Sequence, residues 1–558
     1  MNKSSLWIVL QKMRMPFIVI VTTYTISMIG LLIISGVDGD GKPYQMSIFD
    51  AFYFLTYTAT TIGFGEIPYA FTYPQRMWVS FSIYFNVLGW FYGIGVLVAL
   101  VQDKQFLENL SVNKFVKQVR RLKEDFIVVL GYNLTTEEII KKAIDDNLRV
   151  VVIEKDENKV NNLILESYIP VVPVLCGDVR RSEVLRMAGI ESVYCKGLVS
   201  MFDSDALNLR VATTSKIINP RLKMAIKSTT QNFTENLKDI DVNIVVNPFK
   251  IVSNHLRMAI VSPHILKLEE WIYGHKFTSK IFKLPQGEYI ICGYGRFGKS
   301  IYEALKDSGV GVSFIDIDSK CKANIDKQFL QKIKIGDADD REVLNSVGIK
   351  EARVIIAGTN DDTTNLSILA TARKLNPNIF TIARDNEMED FSIFKKTKVD
   401  YIFAPAKTLI KKTFNALINP TADMFIKEIR KMSDKECADI IKQTSTIDKE
   451  PTLIELEINS LEAVEVTQRL RAKEILEYDI LRKSLTNSNF NNNILILLIS
   501  RGENKLVMPS WSENIQINDK LLVVCDNNAK EDIELILNNH YEFIYALTGK
   551  EKKWIFGR

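Results

Sequence analysis

Two long runs without a charged residue, Met15–Val37 and Met77–Gln102, limit what this chain can fold into. Each exceeds the ~20 apolar residues that carry a helix, at ~1.5 Å per residue, across a hydrocarbon core of ~30 Å. The rest of the 558 residues has ordinary soluble composition, so the length predicts three or four domains, most of them outside a bilayer. The first run has no small-residue cleavage site and a second run follows it, which argues against a removed signal. Lys3, Lys12 and Arg14 precede the first run, and Lys104, Lys114, Lys117, Arg120, Arg121 and Lys123 follow the second. Between the runs, Asp38, Asp40, Asp50 and Glu66 outweigh Lys42 and Arg76. Cationic flanks stay in the cytoplasm, so both termini are expected there.

The two spans must then be joined on the outer side. Asp50–Ala59 (DAFYFLTYTA) is apolar and aromatic at helical spacing but too short to cross. It hands over to Thr61-Ile62-Gly63-Phe64-Gly65-Glu66. Non-helical backbone at membrane depth survives only when buried in protein or lining a water-filled path. Gly63 and Gly65 open backbone conformations that let successive carbonyls point to one side. Rings of such carbonyls can replace an ion's hydration shell. Thr61–Gly65 differs from Thr-Val-Gly-Tyr-Gly by two conservative exchanges and resembles the selectivity filter of tetrameric potassium channels with two spans per subunit. That resemblance makes Thr61, Ile62, Gly63, Phe64 and Gly65 the expected filter, with potassium ions inside. Glu66 is a departure, because many such filters continue with aspartate. The inner helix, about Pro74–Leu100, holds Gly89, Gly93 and Gly95, which close helix packing would explain. By resemblance Gly89 lies at a gating hinge, and Leu97 faces the axis near the cytoplasmic mouth, where an apolar ring can gate by dewetting.

The remaining three-quarters is a repeat. Phe126–Asn133 (FIVVLGYN) lies over Tyr289–Gly298 (YIICGYGRFG) at an offset of 162 that pairs Gly131 with Gly293. Val150–Asp156 falls on Val312–Asp318 at the same offset. Cys176-Gly177-Asp178 falls on Ile335-Gly336-Asp337, and Ala188-Gly189-Ile190 on Val347-Gly348-Ile349, at 159. Ile218-Asn219-Pro220 pairs with Leu375-Asn376-Pro377, Lys227 with Arg384, and Asn247-Pro248 with Ala404-Pro405, at 157. Each copy alternates short β-branched runs with helical stretches, the pattern of a parallel sheet covered by helices on both faces.

In the second copy a strand ending at Cys292 runs into Gly293-x-Gly295-x-x-Gly298. The first glycine permits the turn, the second lets backbone approach a pyrophosphate, and the third lets the helix pack on the strand. The helix start favours phosphate. Asp316 closes the next strand, where it can accept ribose hydroxyls. In the first copy Asn133 and Thr136 replace the second and third glycines, so a dinucleotide is expected to bind weakly or not at all. Gly131, Asn133 and Glu154 are left as a candidate site for another small ligand.

The tandem resembles the RCK domains (also called KTN or TrkA-N) of prokaryotic potassium channels and transporters. The resemblance covers about 126–558 and is strongest over 289–405. It implies a nucleotide, NAD or ADP/ATP, bordered by Gly293, Gly295, Arg296, Phe297, Gly298, Asp316, Asp337, Thr359 and Arg384. It implies a homotetramer in the prokaryotic inner membrane, lipid around its spans, and eight RCK domains in a ring that pulls on the pore. It also makes the tail, including Ile517–Cys525 (INDKLLVVC), a TrkA-C-like lobe for ligand binding or assembly.

The expected organisation is a helical pore domain over 1–102, a linker over 103–125, and a first RCK domain over 126–285. A second Rossmann subdomain over 286–405 and an α+β lobe over 406–558 complete it. Net charge is only +4, which argues against a nucleic-acid partner. Cys176, Cys195, Cys292, Cys321, Cys437 and Cys525 form no CxxC pair and read as reduced thiols. His255, His264, His275 and His540 are scattered, which supports neither zinc nor a histidine-based catalyst. Some relatives are gated by calcium, so calcium stays open as a second regulatory ligand, although Asp337-Ala338-Asp339-Asp340 lacks EF-hand spacing and reads more plainly as a solvated turn. The expectation is a ligand-gated potassium channel and not an enzyme. A membrane-tethered NAD-dependent oxidoreductase would leave the filter stretch without a role and lacks an acid–base constellation. A regulator of a separate transporter would not need its own filter.

Overall fold

The computed structural model describes residues 5–319, 331–386, 394, 396–403, 405–487 and 490–550; Lys3, Cys321 and Ala404 lie outside them. The chain divides into two compact units, 1–121 and 122–558.

The first unit is helical. The outer helix Ser5–Ile33 and inner helix Tyr73–Gln102 contain segments of 24 and 30 residues that are long and apolar enough to cross a membrane. Between them stands the helix Ile48–Ala59, whose 12 residues rise only ~18 Å. Ser47 caps it by accepting from the Asp50 N–H, and its Phe54 and Leu55 bury against Leu31, Met46 and Val79. Small and polar residues bring the outer and inner helices together, as in membrane interiors. A Cβ on Gly30 would fall inside the Trp78 ring, 1.9 Å from its nearest atom. The Asn86 amide donates to Ser27 Oγ at 2.7 Å. The stretch read as a polar linker is mostly helix, Lys104–Arg121, with Phe115 and Val119 buried. Its apolar spacing is helical, which the density of charges had masked.

The second unit holds two six-stranded parallel sheets with the same strand order. The first runs Val174–Cys176, Arg149–Glu154, Phe126–Leu130, Cys195–Ser200, Met224–Lys227, Ile244–Val246. The second runs Ile333–Ile335, Gly311–Asp316, Glu288–Cys292, Val354–Ala357, Phe380–Arg384, Tyr401–Phe403. In both, the order reverses beside the first strand of the copy, which is where doubly wound sheets bind ligands. The copies exchange helices. Pro248–Val261 follows the first copy in sequence but packs Phe249, Val252, Leu256 and Ala259 into the core of the second. Pro405–Ile418 follows the second copy and packs Leu409, Ile410, Phe414 and Leu417 into the first. The C-terminal lobe is a four-stranded antiparallel sheet, Thr452–Glu457, Lys520–Cys525, Ile494–Arg501 and Asn504–Val507, packed with helices.

Candidate functional site

The Thr61–Gly65 backbone alternates. Thr61, Gly63 and Gly65 have φ of 63°, 67° and 73°, while Ile62 and Phe64 are not among the positive-φ residues. Alternation between left-handed and ordinary conformations is what turns successive carbonyls to one side, and it explains why two of the three positions are glycine. Thr61 is the exception, since non-glycine residues rarely take positive φ. The turn is held from the preceding helix, whose Tyr57 carbonyl accepts from the N–H groups of Ile62 at 2.9 Å and Gly63 at 3.2 Å. Glu66 is held too: the Tyr53 hydroxyl donates to its carboxylate, and the Tyr57 hydroxyl to its carbonyl, both at 3.0 Å. The longer side chain therefore has a partner on the same helix that leads into Thr61–Gly65. Gly89 and Gly93 face the outer helix. A Cβ would lie 3.2 Å from Thr23 Oγ1 at the first and 3.0 Å from Ile20 Cδ1 at the second, whereas Gly95 has open space. Leu97 is half-exposed.

In the second sheet the glycine loop is shaped as the spacing predicts. Gly293 has φ of 99°, and a Cβ there would lie 3.1 Å from the Gly358 carbonyl. A Cβ on Gly298 would lie 2.1 Å from the Gly293 carbonyl, so only glycine lets the helix Arg296–Leu305 start this close to its strand. Gly295 caps that helix with no side-chain hydrogen bond and with nothing within 4 Å of a Cβ position. The helix start is thus left without a side-chain cap, as a phosphate site requires.

A cavity of about 650 Å³ lies in front of the loop. Gly293, Gly295, Arg296, Phe297, Asp316, Asp337, Thr359 and Arg384 all line it, and Gly298 stands behind. The Asp316 carboxylate accepts from the Tyr294 N–H at 2.6 Å and the Asp318 N–H at 2.9 Å, which fixes it at the cavity edge. Arg384 donates to Asn360 Oδ1 at 3.0 Å and lies over the Phe297 and Phe249 rings at 5.2 and 5.7 Å. Burial lowers its pKa to about 10; Asp362 pulls it upward and neighbouring Arg296 adds to the depression. Sequence reasoning missed Phe249, because it belongs to the exchanged helix.

The corresponding first-copy residues use up their own polar atoms. A Cβ on Gly131 would lie 2.6 Å from the Phe202 ring, which covers the position. Asn133 Oδ1 accepts from the Thr136 N–H at 3.0 Å, taking a helix-start donor that the second copy leaves open. Glu154 accepts from the N–H groups of Tyr132, Lys155 and Asp156. Gly131, Asn133 and Glu154 thus converge on one loop whose polar atoms serve the fold. Among the described residues no group of His, Cys, Asp and Glu could hold a metal. In the acidic turn, Asp337 accepts from the Asp339 N–H, Asp339 binds Ser367 and Thr371, and Asp340 caps the next helix.

The TrkA-N domain family matches residues 127–248 and again 289–405. Two stretches of the chain thus match the TrkA-N domain family. Relatives include the probable potassium channel protein 2 of Methanocaldococcus jannaschii, 27% identical over 49% of this chain and 74% of its own length. Potassium channel protein 1 of the same organism is 31% identical over 28% of this chain and 46% of its own length. Alignment with either therefore spans half of this chain or less. Among solved structures, the GsuK channel bound to NAD covers 96% of this chain and 100% of its own, at 15% identity and a TM-score of 0.47. The resemblance to prokaryotic potassium channels with RCK domains agrees with the TrkA-N matches and the two Methanocaldococcus relatives. The glycine loop and its cavity belong to the second TrkA-N domain.

Proposed function

We propose that four copies of this chain form a potassium-selective channel of the prokaryotic inner membrane, opened or closed by a nucleotide in the second TrkA-N domain. The observation that carries the reading is Thr61–Gly65, with positive φ at alternate positions, between two helices able to span a bilayer. Four such segments around an axis would offer carbonyl rings to dehydrated potassium. Tyr53 and Tyr57 would keep each segment in register with the helix behind it. Leu97 would narrow the cytoplasmic mouth, and Gly89 would let the inner helix bend near its contact with Thr23.

In the second domain, the uncapped helix start at Gly295 and Arg296 would take the phosphates of NAD, ADP or ATP. Asp316 would accept ribose hydroxyls, and Arg384 would add charge. A bound nucleotide supplies negative charge and a rigid linker across the switch point; no bond is made or broken. The oxidoreductase reading has no comparable support, because it would leave the Thr61–Gly65 segment without a role.

The test is single-channel recording of purified protein in a planar bilayer under a potassium gradient, with NAD, NADH, ADP, ATP and calcium added in turn on the TrkA-N side. Potassium-selective openings whose frequency changes with a nucleotide are expected. Nucleotide binding without current under any condition would overturn the channel reading.

A further inference from the structure

A cavity of about 210 Å³ lies between the exchanged helix Pro248–Val261 and the end of the helix Pro420–Ile429. It is smaller than the ~300 Å³ at which pockets for drug-sized ligands begin, so its occupant is a small molecule. Asn254, Arg257 and Met258 line it from the first helix, and Arg430 and Met432 from the second and the turn after it. Phe249, Val252, Leu256 and Ala259 fill the core of the second domain. Helical spacing places Asn254, Arg257 and Met258 on the opposite face.

Two guanidiniums line this cavity, and no carboxylate does. Arg430 is fixed from behind. Its Nε donates to Glu269 Oε2 at 3.0 Å and its Nη2 to Glu269 Oε1 at 2.6 Å. Glu269 is 7% exposed, so the fork is held in one plane with little screening by water. The Arg430 Nη1 makes no hydrogen bond among the described residues. Arg257 is exposed and has neither hydrogen bond nor ion pair among the described residues, and the Asn254 amide one turn before it has no hydrogen bond either. The rest of the wall is apolar: Met258, Met432 and Ile265, the last 5% exposed.

We propose that this cavity binds a small organic carboxylate, with its charged head on Arg257 and Arg430 and its short alkyl tail on Met258, Ile265 and Met432. A carboxylate presents two oxygens to guanidinium donors, and the tail takes apolar wall out of water. Methionine side chains shape themselves to such a tail. The ligand ties the exchanged helix to the C-terminal lobe. That helix also carries Phe249 into the nucleotide cavity, ~12 Å along its axis from Arg257. The site does not depend on the nucleotide reading of the second domain.

Calorimetric titration of the detergent-solubilised full-length protein with acetate, propionate, butyrate and butyramide at fixed ionic strength tests this, on wild type, Arg257→Gln and Arg257→Lys. Butyrate should bind saturably, once per chain, and affinity should rise about fourfold with each methylene added from acetate. Butyramide, which has the shape without the charge, should bind wild type about tenfold or more weakly, and so should butyrate bind Arg257→Gln. Arg257→Lys keeps the charge without the fork and should recover part of the loss. Arg257 is exposed, so both variants should keep the ligand-free unfolding midpoint. Butyrate that fails to saturate, or that binds wild type and Arg257→Gln alike, would overturn the proposal. So would inorganic phosphate that displaces butyrate and binds as tightly, since the site would then hold a bare anion and make no use of its apolar wall.

Discussion

Gly298 and Gly295 differ in what an added methyl group would meet, and that difference predicts two separable phenotypes. At Gly298 a Cβ would lie 2.1 Å from the Gly293 carbonyl, against the 3.4 Å at which ordinary contact begins, a shortfall of 3.4 − 2.1 = 1.3 Å. The carbonyl is backbone and a Cβ is fixed by its own backbone, so no flexible side chain can absorb the overlap, and the helix Arg296–Leu305 must move off its strand. Overpacking of this kind costs about 1–3 kcal/mol. The same movement carries the helix-start N–H groups away from a phosphate, so Gly298→Ala should lose both stability and nucleotide affinity. Gly295 has φ of −74° and nothing within 4 Å of a Cβ position, so alanine fits the ligand-free protein. Its methyl instead stands where a phosphate would approach. Gly295→Ala should therefore keep the ligand-free unfolding midpoint and lose affinity roughly tenfold or more, the loss of one charge-assisted hydrogen bond. Thermal unfolding without ligand and calorimetric titration with NAD and ADP measure the two effects. Equal destabilisation by both substitutions, or unchanged affinity in Gly295→Ala, would refute the assignment of the helix start as the phosphate cradle.

Tyr53→Phe removes the hydroxyl that holds Glu66 and should weaken the support of the filter by about 1 kcal/mol. The potassium-to-sodium permeability ratio should fall, and a wild-type ratio would release Glu66 from that role. Leu97→Glu should hydrate a constriction at the inner mouth and raise opening without ligand; an unchanged basal open probability would take Leu97 out of the gate. In the C-terminal lobe, burial raises the Glu455 pKa, although the N–H groups of Thr421 and Ala422 donate to it and pull the other way. The folded state then holds this proton more tightly than the unfolded state. Stability should fall as pH rises from the ordinary glutamate range through the raised value, and stay level above it. Glu455→Gln should flatten that fall in melts between pH 4 and 7; an identical slope would mean that another group titrates.

The nucleotide cavity was legible because its residue types are dictated by backbone. Gly293, Gly295 and Gly298 each answer to a distance or an angle that few other residues tolerate, and such positions announce themselves by spacing alone. Asp316 and Arg384 followed because they end strands on the same side of the sheet. The losses in the first copy, Asn133 and Thr136 for glycine, were equally visible. The exchange of helices was not. Asn247-Pro248 pairs with Ala404-Pro405 in sequence, which marks two equivalent helices. The apolar stripe Phe249, Val252, Leu256, Ala259 shows that one of them packs, but not against which copy. Phe249 therefore entered the second domain's site only with the coordinates. Phe202 was hidden for the opposite reason: a ring over a glycine leaves no pattern in spacing. The Tyr53–Glu66 contact joins residues 13 apart across a turn, and nothing in either residue type demands it.

Contact between the copies also bears on how much a nucleotide must do. A ligand shifts a two-state equilibrium only by its differential affinity for the two states, and moving one from 1:99 to 99:1 takes about 10⁴-fold. In the proposed tetramer, one site per chain would divide that factor four ways, so each site would need only about a tenfold preference. That is the scale of a single charge-assisted hydrogen bond gained or lost. Arg296 supplies such a bond at the right place. Its hydrogen bond to Thr229 joins the glycine loop to the other copy, and a phosphate at the helix start would compete for the same guanidinium. In that proposed channel, one arginine changing partners at each of four sites would be sufficient in energy to set the state of the pore. Thr229→Val, which removes the ligand-free partner and leaves the nucleotide cavity intact, should shift the nucleotide concentration for half-maximal gating by about tenfold. An unshifted dose–response curve in planar-bilayer recordings would show that the energy for gating comes from elsewhere in the domain pair.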